Sequence, residues 1–209
     1  MTRSDKDFEL LTTSMTPTFI GDLSAKDAEL LTTFSSTSES ILEFGCGGST
    51  QIFAQSSPGK ILSIDTSPAW IESTREKLKL LGVENKVTFT SYEWRDIATT
   101  YDFIFDDGED DGTGNMRLAF AIAAWPLLRV GGTFALHDTR HHHIARILGV
   151  LVDKHFMEIH GVAINIDGSN LSLIRKKWPE PYVNWNHAEG REPWMYGHGP
   201  VPSNWPSKP

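Results

Sequence analysis

The fold of this chain is decided by two stretches, ILEFGCGGST at Ile41–Thr50 and ILSID at Ile61–Asp65. Both begin with an apolar run typical of a buried strand. The first run leads into a glycine turn, where the absent Cβ lets the backbone bend sharply and lets a ligand approach closely. The second run ends in Asp65, about 20 residues beyond the turn, where an aspartate can bind two ribose hydroxyls. Together they predict the first half of a nucleotide-binding α/β unit.

Strands and helices are predicted to alternate over most of the chain. Further apolar runs predict strands at residues 87–90, 103–105 and 133–136, and periodic segments predict helices at 50–55, 68–80, 115–128 and 139–154. Such alternation implies right-handed crossovers and a largely parallel sheet. Runs at 156–159, 162–166 and 171–175 predict two or three more strands, two of them joined in a hairpin by the turn Asp167-Gly168-Ser169-Asn170. The predicted fold class is α/β, doubly wound and mostly parallel, with a C-terminal antiparallel hairpin.

Composition narrows the function classes. A length of 209 residues fits one domain with a full core. The net charge of −8 argues against a nucleic-acid partner, which would call for a basic surface. No apolar run reaches membrane-spanning length, and the polar start of the chain is unlike a signal peptide. The single cysteine, Cys46, suits a reducing compartment, so a soluble cytoplasmic protein is expected.

The two ends of the chain differ from its middle. Residues 1–40 are polar, with one helix start at Ser24, whose side chain can cap the helix while Asp27 favours its first turn. Residues 177–209 combine tryptophans with many prolines, so no regular period survives. This tail is predicted to be an extended strap anchored by its indoles on the domain or on a neighbouring subunit, the latter giving a homo-oligomer.

The pattern Glu-x-Gly-x-Gly-Gly at Glu43–Gly48 resembles the first motif of class I S-adenosylmethionine-dependent methyltransferases. Dinucleotide dehydrogenases match less well, because their Gly-x-Gly-x-x-Gly would need a glycine at Thr50. P-loop chemistry is excluded, since no Lys-Ser/Thr pair follows the glycines. The resemblance covers about residues 40–176 and implies a Rossmann-like, seven-stranded sheet for residues 41–176. It also implies that residues 1–40 contribute to a substrate lid, although plain packing on the sheet is an open alternative.

The resemblance implies a set of cofactor-binding residues. The acid before the turn would hold the methionine end of S-adenosylmethionine, the turn would cradle it, and Asp65 would bind the ribose. At the third strand, Glu93 would accept from the adenine amino group while Trp94 packs on the ring, a departure from the small residue and acid common in the family. The full set is Glu43, Gly45, Cys46, Gly47, Gly48, Ser49, Asp65, Thr66, Glu93, Trp94 and Asp106.

Acidic residues crowd the loop after the fourth predicted strand, with five acids in the six positions 106–111. Such a cluster is either solvated or neutralised by a metal or a basic group. With His137-Asp138 after the fifth strand, it resembles the small-molecule O-methyltransferase branch (methyltransferase family 24-like), several members of which bind a divalent cation. Carried over, Asp106 or Asp107 and Asp138 would hold the cation, Mg²⁺ being the ion that suits carboxylates. Thr139 stands where that branch has its third ligand.

Histidine and cysteine have competing interpretations. Without a metal, His137 would be the general base, or alternatively a hydrogen-bonded residue that holds its loop. Cys46 has no base beside it and is interpreted as a small residue lining the turn. The run His141–His143 begins a helix, where three successive side chains point in different directions and cannot bind one metal.

The resemblance implies methyl transfer from S-adenosylmethionine to a hydroxyl of a small or medium molecule by direct displacement. A divalent cation would lower the pKa of the acceptor hydroxyl and orient its oxygen. The implied catalytic residues are His137, Asp138 and Asp107. N-methylation, another use of the cofactor such as aminopropyl transfer, and an inactive cofactor-binding module of the same fold remain alternatives.

Overall fold

The computed structural model describes residues 21–91, 99–109, 112–141, 143–145, 147, 161–163, 165 and 168–176. The elements in these ranges alternate along the chain. In order they are α1 (Ala25–Ser35), β1 (Ser40–Phe44), α2 (Gly48–Ser56), β2 (Lys60–Ile64), α3 (Pro68–Leu80), β3 (Val87–Thr90), β4 (Tyr101–Asp106), α4 (Asn115–Ala124), β5 (Leu128–Leu136), β6 (Gly161–Ala163) and β7 (Ser172–Arg175).

The described strands form one seven-stranded sheet in the order β3-β2-β1-β4-β5-β7-β6. The first five strands of this order pair in parallel, whereas β7 runs antiparallel to both β5 and β6. This confirms the predicted doubly wound, mostly parallel sheet with an antiparallel end. The chain order reverses between β1 and β4, which are neighbours with Phe44 level with Asp106. Ligands of such sheets bind beyond the carboxyl ends of the strands at this reversal.

Hydrophobic cores lie on both faces of the sheet. Side chains alternate along a strand, so Leu42 of β1 joins the core under α4 while Ile41 joins the core under α1 and α2. Burial on both faces explains why the parallel strands read as nearly continuous apolar runs. The described parts of both cores also include Phe134 on the first face and Phe103 on the second.

The helix starts follow local rules. In α1, Ser24 and Asp27 form the predicted capping box, with reciprocal bonds between side chains and backbone. In α3, Ser67 caps the helix and Pro68 occupies its first turn. The helix expected at 115–128 instead ends at Ala124, because a 3₁₀ turn containing Pro126 follows and β5 already starts at Leu128.

Several predictions fall outside the described residues. They concern the start of the chain, the adenine-binding pair Glu93 and Trp94, the strand at 156–159 and the tail 177–209. Within the triple histidine, His141 is exposed and its ring lies 5.7 Å from that of His143. In the described part of the chain, every helix is too short or too polar to cross a membrane.

Candidate functional site

The glycine turn after β1 is held between the ends of β2 and β4. The Gly45 N–H donates to the carbonyl of Ile64 (2.8 Å), and the Asp107 N–H donates to the carbonyl of Phe44 (2.9 Å). Gly45 has φ +85°, and a Cβ on it would lie 2.2 Å from the carbonyl oxygen of Asp107. Only glycine fits this position, since both its backbone conformation and the approach of β4 exclude a side chain.

Glu43 lies beneath the turn. Its fully buried carboxylate accepts hydrogen bonds from the hydroxyls of Ser49 (2.6 Å), Thr50 (2.7 Å) and Ser63 (2.6 Å). Burial raises the pKa of Glu43 to about 7, although the three hydroxyls act in the opposite direction. The Thr50 hydroxyl in turn accepts from the Gly47 N–H (2.8 Å). Glu43 therefore braces the turn from inside, and its expected hold on the methionine end, through the amino group or a bound water, stays a prediction.

Asp65 ties the end of β2 to the same turn. One carboxylate oxygen accepts from the Cys46 N–H (3.0 Å) and the other from the Ser67 N–H (2.8 Å). Ser67, not Asp65, caps α3, since its hydroxyl accepts from the Trp70 N–H (3.3 Å). Asp65 is partly exposed and Thr66 beside it is exposed. A carboxylate with two further lone pairs at this position can receive hydroxyl donors from a ligand.

Trp70, which sequence reasoning missed, lies against the turn. Its indole N–H donates to the carbonyl of Cys46, and its ring atoms lie 3.4–3.7 Å from where a Cβ of Gly47 would be. The only sequence signal for it is an aromatic side chain in the first helical turn after Asp65. Burial raises the pKa of the Cys46 thiol well above its usual value, so a nucleophilic role is disfavoured and the lining role fits.

The two neighbouring acids at the end of β4 occupy different environments. Asp106 is fully buried and accepts from the Gly108 N–H (3.3 Å), and burial raises its pKa to about 8, despite the nearby Arg117. Asp107 is partly exposed, with 16% of its side chain accessible. Burial therefore favours the neutral form of Asp106 and disfavours its predicted roles in metal and cofactor binding, which stay predictions. Asp107 is the one that reaches the surface.

A cluster forms where the ends of β4 and β5 meet. Ligand atoms of Asp107, His137 and Asp138 lie within 4.8 Å of one another, close enough for one metal ion. The same cluster contains Arg117 of α4, whose Nη2 lies 3.1 Å from Asp107 Oδ1 and 3.2 Å from Asp138 Oδ2. The sequence predicted that a metal or a basic group could neutralise these acids. In the structure the basic group is present, because Arg117 contacts both of them. No local pattern marked Arg117, because it is brought to the acids only by the packing of α4.

The His137 ring lies buried among carboxylates, which favour its protonated form. Its ring is 1% exposed, with Nδ1 3.2 Å from Asp107 Oδ1 and Nε2 3.7 Å from Asp27 Oδ2. Burial lowers the pKa of this ring, but the carboxylates of Asp107, Asp27 and Asp138 outweigh it and raise the pKa to about 11. This environment disfavours the predicted general base, which stays a prediction. It favours the alternative, in which His137 holds its loop through contacts with carboxylates.

Asp27 and Asn170 connect the cluster to other elements. Asp27 Oδ1 accepts from the Asn170 N–H (2.8 Å), and Asn170 Nδ2 donates to Asp138 Oδ1 (2.9 Å). Although burial alone would raise the pKa of Asp27, the nearby His137 ring and hydrogen bonds from Ser24 and Asn170 lower it to about 2. The helix cap read from the sequence thus has a second role. Thr139, at the expected third-ligand position, donates instead to the side chain of Asn165 (2.6 Å).

Comparisons with known proteins match the fold. No protein-family model and no curated protein matches the sequence. Among solved structures, TomG of Streptomyces achromogenes, an O-methyltransferase of tomaymycin synthesis in complex with SAM, has a TM-score of 0.59 and 16% identity over 77% of this chain and 83% of its own. Cofactor-bound Rv0187 from MTB has a TM-score of 0.60 and 20% identity over 73% and 80%. The O-methyltransferase of Bacillus cereus in complex with SAH has a TM-score of 0.58 and 17% identity over 74% of this chain and 83% of its own. At such identities the likeness establishes a Rossmann-like methyltransferase fold.

The site thus has two halves at one edge of the sheet. The first is the glycine turn with Asp65, which suits a ribose-containing ligand. The second is the acidic shelf, defined as the partly exposed carboxylates of Asp107 and Asp138. Packing of Gly45 on the backbone of Asp107 joins the two halves directly. A molecule bound at the turn would therefore lie next to the shelf.

Proposed function

We propose that this chain is an S-adenosylmethionine-dependent methyltransferase that methylates a hydroxyl of a small or medium molecule. One observation carries the proposal: Asp65 is bonded to the Cys46 N–H (3.0 Å), so the acid and the glycine turn form one unit beyond the carboxyl ends of β1 and β2. Support comes from the fold, which this chain shares with TomG bound to SAM and with Rv0187 bound to its cofactor.

Cofactor binding is assigned to three places. Asp65 would accept hydrogen bonds from the ribose hydroxyls, and the turn at residues 45–48 would lie along the methionine part. Glu93 and Trp94 stay the predicted partners of the adenine. Glu43 would act indirectly, by holding the hydroxyls of Ser49 and Thr50 under the turn.

The chemistry left to the protein is alignment and removal of one proton. S-adenosylmethionine, when bound, supplies an activated methyl group on a sulfonium. The acceptor hydroxyl must then be held in line, and its proton must leave as the new O–C bond forms. Because the surrounding carboxylates favour the protonated form of His137, we assign this role to the acidic shelf. Asp107 and Asp138 offer partly exposed carboxylate oxygens that can accept the hydroxyl hydrogen bond and then the proton.

Partners and location follow from the same properties. A small-molecule acceptor in the cytoplasm agrees with the acidic net charge of −8 and the single cysteine. We further infer that residues 1–40 contribute a lid to the acceptor site, as the resemblance implies.

The proposal is tested by calorimetric titration of S-adenosylmethionine and S-adenosylhomocysteine into wild type and Asp65→Asn. Micromolar binding is expected for wild type, weakened roughly tenfold or more in the variant, because charge-assisted hydrogen bonds to two hydroxyls are lost. Asp102→Asn is the matched control: Asp102 also accepts two backbone N–H bonds, from Glu39 (2.7 Å) and Ser40 (3.2 Å), but at the opposite end of β1. A folded wild type that binds neither compound would refute the proposal.

N-methylation is the second candidate, favoured by one observation. The carboxylates of Asp107 and Asp138 are partly exposed, so they can accept a hydrogen bond and then a proton from an amine N–H as from a hydroxyl, without a metal. A panel of hydroxyl and amine acceptors, assayed for release of S-adenosylhomocysteine, separates the two. Turnover restricted to amines would replace the first proposal, and binding without turnover of either class would favour an inactive cofactor-binding module.

A further inference from the structure

The two carboxylates of the acidic shelf already have a positively charged partner, whereas those of a metal site have theirs in the bound ion. A divalent cation such as Mg²⁺ binds carboxylate oxygens at about 2.1 Å and needs ligands that carry free lone pairs. Here Arg117 Nη2 contacts one oxygen of each acid, Asp107 Oδ1 at 3.1 Å and Asp138 Oδ2 at 3.2 Å. His137 directs Nδ1 to Asp107 Oδ1 (3.2 Å), in the geometry of a donated hydrogen bond. A cation between these oxygens would overlap the guanidinium and be repelled by it.

Arg117 is also held from its other sides. Its Nε donates to the carbonyl of Gly108 (2.8 Å) and its Nη1 to the carbonyl of His137 (3.3 Å), so the guanidinium bridges the loops after β4 and β5. The side chain is 1% exposed. Moving it aside to admit a cation would leave a buried charge without these partners, which is strongly unfavourable. The guanidinium is a permanent cation with a fixed fork of donors, unlike an ion that dissociates.

We propose that Arg117 permanently occupies the cation position of this site and positions Asp107 and Asp138, so that the shelf binds no divalent metal. One consequence of this inference, that methyl transfer is insensitive to chelators, rests on the proposed function. The arrangement itself is a property of the folded chain and can be tested without turnover. Arg117 is a positioning residue here, since it acts on the acceptor through the two carboxylates.

The test is a titration of the full chain with Mn²⁺. Binding is measured from the decrease in the electron paramagnetic resonance signal of the free ion. Wild type should show only weak background binding, unchanged in Asp138→Asn. Arg117→Met should gain one site at least about tenfold tighter than this background, and Arg117→Met/Asp138→Asn should lose it. Arg129→Met is the matched control, because it breaks a surface pair, Arg129 Nε to Asp102 Oδ1 at 2.8 Å, that lies away from the shelf.

Two results would overturn the inference. One is a Mn²⁺ site in wild type that Asp138→Asn abolishes, and the other is a folded Arg117→Met that gains no site. If Arg117→Met does not fold by circular dichroism, the comparison of wild type with Asp138→Asn still decides the question. A wild type that fails to bind S-adenosylhomocysteine refutes the proposed function alone, because the Mn²⁺ result does not depend on it. Where wild type does bind, EDTA should change neither that affinity nor the rate of transfer.

Discussion

Replacing Gly45 with alanine tests the junction between the two halves of the site. The new Cβ would lie 2.2 Å from the carbonyl oxygen and 2.8 Å from the carbonyl carbon of Asp107, and 3.2 Å from Cα of Gly108. All three are backbone atoms, so no side-chain rotation relieves the overlap. The turn and the end of β4 must separate, which weakens the bonds from the Gly45 N–H to Ile64 (2.8 Å) and from the Asp107 N–H to Phe44 (2.9 Å).

The magnitude has two parts. The positive φ of +85° costs a non-glycine residue about 1–2 kcal/mol, of which about 0.4–1 kcal/mol is offset by the stiffer unfolded chain. Each buried backbone bond that is lost costs about 1–3 kcal/mol. We therefore expect Gly45→Ala to reduce the free energy of unfolding by about 3–5 kcal/mol and to abolish binding of S-adenosylhomocysteine.

Urea unfolding of two control variants separates the cost of the positive φ from the cost of the overlap with the end of β4. Gly82 has φ +71° and nothing within 4 Å of its virtual Cβ, so Gly82→Ala carries the backbone cost alone, about 1 kcal/mol. A Cβ on Gly59 would lie 1.7 Å from the carbonyl oxygen of Glu39, so Gly59→Ala carries a severe overlap away from the site and should leave ligand affinity unchanged while the protein stays folded. A Gly45→Ala protein as stable as Gly82→Ala would refute the reasoning about β4.

Two further predictions concern the turn. Glu43→Gln should remove a pH dependence of the free energy of unfolding. Burial raises the pKa of Glu43 from 4.5 to about 7. The stability that this group contributes is therefore complete below pH 4.5 and is lost as the pH rises through 7, a change of about 3 kcal/mol. The difference between wild type and variant in the free energy of unfolding, measured in urea, should shift by that amount between pH 4.5 and 8.5. An equal pH dependence of wild type and Glu43→Gln would contradict the buried carboxyl. Trp70 touches the turn, so S-adenosylhomocysteine should change the tryptophan emission of a Trp94→Phe protein, and change it much less in Trp70→Phe/Trp94→Phe. The same change in both proteins would exclude Trp70 as a neighbour of the ligand.

Local rules explain why much of the fold is readable from the sequence. The strand at 41–44, the glycine turn and the start of α3 at Pro68 each depend on neighbouring residues: on apolar runs, on freedom at positive φ, and on a cap with a proline in the first turn. The place of Asp65 beside the turn follows too, because parallel strands bring their carboxyl ends to one edge. The predicted end of α4 and start of β5 were wrong, because the 3₁₀ turn around Pro126 between them has no hydrophobic periodicity that marks it in the sequence.

The state of the site's ionisable groups was decided by tertiary structure alone. A histidine next to an aspartate suggests a base, yet Asp27, from the first helix, and Asp107 face the two ring nitrogens of the buried His137 and favour its protonated form. The acidic run suggests a metal, yet packing of α4 brings Arg117 between the carboxylates. Sequence therefore determined which residues reach the edge of the sheet, because strand ends and turns are set by neighbouring residues. Their charges depend on distant partners and on burial, since electrostatic energies are set by distance in space and by exclusion of water.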